Sequence, residues 1–184
     1  MSGSDLDAIR SQLDVLHLAM GEFLTACAHL ENNLAGLLLV CDRDKKTIEQ
    51  TWEEFLPLTF GQRLKLLIEK CAAEPFSEEH RTILEKEFAR LKELVPQRNL
   101  IVHGTTFHFG FGEAPVQTFR VGSPKNNTNF MRDFIDSKGG AAHSFTAEKV
   151  RQLSALCDDI RGHIAKVMIE AQMERAKLES DKSP

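Results

Sequence analysis

The stretch "VPQRNLIVHGTTFHFGFG", residues 95–112, is where the pattern of the chain changes. Up to His103 the apolar residues keep helical spacing, with Leu91, Leu94 and Val95 leading on to Ile101 and Val102. Gly104 suits the position just past a helix end. Beyond it "TTFHFGF" alternates as a strand does, and "VQTFRVG" does so again after "GEAP", which predicts a small hairpin. Pro96 falls inside the helical stretch, where it removes a backbone donor and crowds the preceding turn, so a kink is expected there.

Before this stretch the pattern is helical throughout. Ser77 caps the helix that ends at His103, with Glu78 and Glu79 in the first turn and Ile83, Leu84, Phe88 and Leu91 along one side. Thr59 caps "FGQRLKLLIEKCAA", whose apolar side carries Leu64, Leu67, Ile68 and Cys71. Residues 45–56 predict a short helix closed by Pro57. Residues 4–41 predict one long helix, with a stripe from Leu6 through Ile9, Leu13, Leu16, Met20, Phe23, Cys27, Leu30 and Leu34 to Leu37. After the hairpin, residues 122–144 are rich in Gly, Asn and Ser and are expected to form a mobile loop. A last helix begins near Thr146, with Val150, Leu153, Leu156, Cys157, Ile160, Ile164 and Val167 on one stripe.

The expected fold is therefore mainly all-α: an up-and-down bundle of four principal helices with a small β-hairpin insertion between helices three and four. Residues 1–184 are expected to form a single domain, with 105–145 as the insertion and 179–184 as a frayed tail.

Composition narrows the function. The chain has 184 residues, 42% hydrophobic and 27% charged, and a net charge of −4. That excludes coating nucleic acid by charge alone and leaves room for a local basic site. The start "MSGSDLDAIR" predicts no signal peptide, and the run "LAGLLLVC" at 34–41 is too short to span a bilayer. A cytoplasmic location without membrane contact is expected. The four cysteines, at 27, 41, 71 and 157, form no CxxC pair, and three of them lie in helical patterns as small core residues.

The polar residues at the end of the third long helix carry the chemistry. Asn99 and His103, four apart, share a helix face. Arg98 and His103, five apart, differ in direction by about 140°. A kink at Pro96, the helix end at Gly104 or a second copy of the chain would have to bring them together. The chemistry that fits is cleavage of RNA by attack of a ribose 2′-OH on its neighbouring phosphate. Histidine moves a proton near neutral pH. The arginine fork holds phosphate oxygens. Asparagine orients the imidazole or the ribose, and no metal or other cofactor is required.

"RNLIVH" at 98–103 resembles the R-x4-x6-H motif of the HEPN superfamily, and "HLENNLAGLL", "FGQRLKLL" and "SFTAEKVRQL" resemble the context of a bacterial HEPN-like subgroup. HEPN domains are helical bundles with this motif at the end of their third long helix. The resemblance covers the helical scaffold and not the hairpin. It implies phosphate binding for Arg98, an orienting role for Asn99 and acid/base work for His103. It also implies a homodimer with two motifs lining one cleft. The activity implied is metal-independent endoribonuclease activity in a toxin–antitoxin or phage-defence setting, with RNA as substrate. An antitoxin or nucleotidyltransferase is the implied partner, and no DNA is expected. Members without nuclease activity leave an alternative, a non-catalytic domain for dimerisation or partner binding.

Each residue also has a plainer reading. His103 can complement the helix dipole, Gly104 can simply cap, and Arg98 can pair with an acid on another helix. Glu31, near the apolar side of the first helix, is expected to support Arg98 or to reach solvent. Asn32 and Asn33 read as a polar face. His17, His29, His80 and His163 read as surface or edge residues, and the spacing of His103 and His108 does not suit a metal. Trp52, Phe55 and Phe60 are expected to cover one end of the bundle, and Phe107, Phe109 and Phe111, on one strand face, to pack on the bundle or on a second subunit in preference to stacking bases.

Overall fold

A computed structural model describes residues 3–41, 48–73, 76–109, 117–121 and 144–180. The described residues are mainly helical. In chain order they form α1 (Gly3–Cys41), α2 (Ile48–Phe55), α3 (Phe60–Ala73), α4 (Glu78–His103), β1 (Thr105–Phe109), β2 (Gln117–Val121), β3 (Ser144–Phe145) and α5 (Ala147–Ser180).

Local side-chain chemistry sets the helix starts. Thr59 and Gln62 form a reciprocal capping box: the Gln62 N–H reaches Thr59 Oγ1 at 3.4 Å, and the Thr59 N–H reaches Gln62 Oε1 at 2.8 Å. Ser77 Oγ accepts from the His80 N–H at 3.2 Å, and Thr146 Oγ1 from the Lys149 N–H at 3.2 Å. Each bond satisfies an N-terminal donor that the helix itself leaves open. Pro96 lies inside α4, which continues through it to His103.

The chain divides into two compact units. One comprises Met1–Thr25 and Pro96–Ala155, the other Ala26–Val95 and Leu156–Pro184. In the first, Leu16, Ala19 and Phe23 of α1, Ile101 of α4, Phe145, and Val150 and Leu153 of α5 are buried. Leu6, by contrast, is exposed although it opens the apolar stripe of α1. β1 pairs antiparallel with β2, Phe107 opposite Phe119 and Thr105 opposite Val121, and β2 pairs antiparallel with β3, Arg120 opposite Phe145. The expected turn of the hairpin, the expected loop up to 143, Phe111 and the chain end from 181 lie outside the described residues. Residue 144, expected in the loop, instead belongs to β3 and pairs with Val121.

The second unit is a helical bundle. Its α1 segment buries Cys27, Leu30, Leu34, Leu37 and Cys41, and its α5 segment buries Cys157, Ile160, Ile164, Val167 and Ala171. The α5 positions alternate in steps of three and four, the seam by which one helix packs along another. Each fully buried Leu or Ile contributes about 1.5–3 kcal/mol of transfer free energy. A Cβ on Gly36 would come within 2.8 Å of Met168 Cε, so the missing side chain leaves room for the end of the Met168 side chain of α5. Arg175 Nη1 of α5 donates to the Val40 carbonyl at 2.5 Å and caps the C-terminal end of α1, whose own last turn has no basic residue. Phe55 and Phe60 are buried and Trp52 is half-buried.

Among the described residues α1 is the one helix long and apolar enough to cross a membrane by length and composition, although its longest unbroken apolar run is short. Half of its apolar window is buried within the structure, a property shared by core helices.

Candidate functional site

The sequence-selected site sits at the C-terminal end of α4, all of it in the first unit. Because the helix is unbroken from residue 98 to 103, Arg98 and His103 leave it about 140° apart. A bend at Pro96 precedes both residues and cannot alter that angle, and the helix end falls after His103 and not between the two. Two of the three routes expected to join them are thereby closed. The Arg98 guanidinium is instead held by its neighbour on the helix. Its Nη1 donates to Asn99 Oδ1 at 3.3 Å, which turns the guanidinium toward the face that Asn99 shares with His103.

Arg98 is half-buried, whereas Asn99 and His103 are exposed. His103 occupies the last turn of α4, where the helix dipole favours positive charge. Gly104 is the first residue beyond the helix, and β1 starts directly after it. The arrangement presents a half-buried cation steadied by an amide, with an exposed imidazole one turn further on. In the same unit Arg151 pairs with Glu22 at 3.5 Å, and Lys149 Nζ lies 4.9 Å from the centre of the Phe145 ring.

Glu31 forms an ion pair with Arg63 of α3. Arg63 also donates from Nε to the Phe55 carbonyl at 3.0 Å and from Nη2 to the Leu56 carbonyl at 2.7 Å, and its Cζ lies 5.1 Å from the Phe55 ring centre. One guanidinium thus closes the C-terminal end of α2 and ties α3 to α1, using all edges of its planar fork. Asn33, read as polar surface, donates to the Arg161 carbonyl of α5 at 3.3 Å and is part-buried.

A second polar cluster, between α4 and α5 in the other unit, went unrecognised in the sequence. Glu87 is fully buried. Its Oε2 accepts from Arg90 Nη1 at 2.7 Å and its Oε1 lies 2.9 Å from His163 Nδ1. Arg90 Nη2 reaches Asp159 Oδ2 at 2.7 Å, and that hydrogen bond holds the Asp159 carboxyl below its ordinary pKa. His80, expected at the surface, is only 3% exposed: its Nε2 meets Glu170 Oε2 at 3.2 Å, and the Phe76 ring lies edge-on to it. The spacings Glu87–Arg90 and Asp159–His163 mark polar faces on two helices. Nothing local says that those faces meet. Among the described residues, no group of three or more His, Cys, Asp or Glu side chains is placed to hold a metal ion.

The chain matches no protein-family model, no curated protein and no solved structure.

Proposed function

We propose that the chain is a HEPN-like, metal-independent endoribonuclease that acts as a homodimer, with Arg98, Asn99 and His103 at its reactive centre. His103 takes the proton from a ribose 2′-OH. The 2′ oxygen bonds to the adjacent phosphorus, the 5′ oxygen leaves and takes up a proton, and a 2′,3′-cyclic phosphate remains. Arg98 holds the charge that builds on the phosphate oxygens, and Asn99 keeps the guanidinium turned toward the imidazole. The observation that supports this reading is the Arg98–Asn99 hydrogen bond one turn from an exposed His103, at a helix end that welcomes a cation. The setting that suits the reading is a toxin–antitoxin or phage-defence pair, with an antitoxin or nucleotidyltransferase as the regulating partner. The test is incubation of the purified full chain with RNA in the presence of chelator. Cleavage that disappears in His103→Ala supports the reading, and cleavage undiminished in that variant rejects it.

The angular separation of Arg98 and His103 within one chain favours a second reading, a non-catalytic helical domain for dimerisation or partner docking. It predicts no cleavage at any protein concentration, with folding intact in the Arg98→Ala/His103→Ala double variant. Light scattering that finds only monomer at micromolar concentration removes the shared cleft and with it the first reading.

A further inference from the structure

We propose that Cys41 and Cys71 are an oxidisable dithiol, a modification site that takes two-electron oxidants of the hydroperoxide class and closes to a disulfide. The site is independent of the RNA-cleaving reading and lies wholly in the second unit.

All four cysteines are buried free thiols, and they stand in two facing pairs. Sγ of Cys41 is 3.3 Å from Sγ of Cys71, and Sγ of Cys27 is 3.8 Å from Sγ of Cys157. Neither pair is visible as a motif, because the partners lie 30 and 130 positions apart. From 3.3 Å, about 1 Å of closure reaches the bonding distance of sulfur to sulfur.

The two pairs differ in where they sit. Cys41 is the last residue of α1, and Cys71 lies in the last turn of α3. Helix ends open at lower free energy than helix interiors, which gives both the oxidant and the closing movement a route. Cys27 and Cys157 lie well inside α1 and α5. Their mutual hydrogen bond, and then burial, push the Cys157 thiol well above its ordinary pKa, so the reactive thiolate is scarce there. The deeper pair therefore serves as an internal control of the same chemistry at a less accessible place.

The reaction balances with the hydroperoxide as the only co-reactant. One thiolate attacks the peroxide oxygen, the O–O bond breaks, and an alcohol (water, for hydrogen peroxide) leaves with the proton. The sulfenic acid formed is attacked by the second thiol. The S–S bond forms, the S–O bond breaks, and water leaves with the second thiol's proton. Two thiols are oxidised and one peroxide is reduced. External thiols reverse the step by exchange.

The test uses the reduced full chain, treated with equimolar hydrogen peroxide, quenched by alkylation, digested without reductant and read by mass spectrometry. The expected product is a peptide pair joined through Cys41 and Cys71, lighter by two hydrogens, formed before any Cys27–Cys157 link and removed by dithiothreitol. Cys41→Ser and Cys71→Ser each abolish it, and Cys27→Ala leaves it intact. The oxidised wild-type chain melts several degrees above the reduced chain, because the link shortens the unfolded ensemble. The proposal is overturned if Cys41 and Cys71 stay as thiols. It is equally overturned if they end as separate sulfinic acids, or if the Cys27–Cys157 link forms as fast. The wild-type product reads out directly, so a poorly folding serine variant does not blunt the test.

Discussion

Glu87 and His163 are joined across α4 and α5 by a 2.9 Å contact between Oε1 and Nδ1, the carboxylate side chain 1% exposed and the imidazole 42% exposed. Arg90 holds the other carboxylate oxygen at 2.7 Å. A buried carboxylate survives folding only while such partners remain, so the cost of a substitution depends on which partner is removed. Arg90→Ala leaves Glu87 buried with the imidazole alone and is expected to cost about 3 kcal/mol. Asp159→Ala removes an exposed partner of Arg90 and is expected to shift the unfolding midpoint far less than Arg90→Ala does. Urea unfolding with an unchanged slope and a shifted midpoint checks both expectations, and an Arg90→Ala chain as stable as wild type removes the energetic role assigned to Glu87.

The pH dependence of the same cluster follows from the sign of one shift. The hydrogen bond from Arg90 lowers the folded-state pKa of Asp159 below its ordinary value of 3.8. A carboxyl with a depressed folded pKa stabilises the fold above its unfolded pKa, and that stability is lost as pH falls through the folded value. Stability should therefore decline on acidification below about pH 4, and Asp159→Asn should flatten the decline without altering stability's response to pH above neutrality. Thermal melts from pH 2 to 8 on both proteins measure this. Acid limbs that superimpose would show that Asp159 titrates alike in the folded and unfolded chains.

Arg63 offers a sharper separation of charge from shape. It serves Glu31, the Phe55 carbonyl and the Leu56 carbonyl at once. Arg63→Ala removes the guanidinium from all three acceptors at once, and the expected loss is about 3 kcal/mol. Arg63→Lys keeps the charge, but an ammonium cannot reach three acceptors lying in the plane of a fork, so it should recover less than half of that loss. Glu31→Gln keeps one acceptor oxygen and should cost about 1 kcal/mol. Chemical denaturation of the three variants ranks them, and equal stability of the Lys and Arg chains would reduce the contact to simple charge.

What the sequence reveals follows how local the determining chemistry is. Thr59, Ser77 and Thr146 announce helix starts because a cap and its target N–H lie within three residues of each other. The stripes of α1 and α5 are visible because a core helix repeats its apolar positions. Leu6 departs from its stripe, since periodicity marks a face and not whether another element covers it. His80 and Glu87 are polar residues at core positions, and their partners lie 90 and 76 positions away. No local pattern encodes the register of one helix against another, so the Glu31–Arg63 pair, the two thiol pairs and the Glu87 cluster emerge only once the helices are packed. The angle between Arg98 and His103 was legible from spacing alone, whereas the turn of Arg98 toward Asn99 was not, because it depends on a rotamer.

That rotamer carries a prediction for the proposed reaction. If the guanidinium reaches phosphate by leaning on Asn99 Oδ1, Asn99→Ala frees it to point along its own direction, away from His103. The variant should fold as wild type, since Asn99 is exposed, yet cut RNA about tenfold more slowly through weaker holding of the phosphate. Asn99→Asp replaces the amide by a carboxylate that grips Arg98 more tightly and competes with the phosphate for it, so it should slow cleavage further. His103→Ala should lower the rate by about a hundredfold or more, as loss of a proton-transfer group does. Single-turnover cleavage in chelator, with light scattering on each protein, separates these effects from loss of the dimer. Should Asn99→Ala and Asn99→Asp both cut at the wild-type rate while His103→Ala is inactive, the imidazole keeps its role. The arginine would then reach its phosphate without help from Asn99.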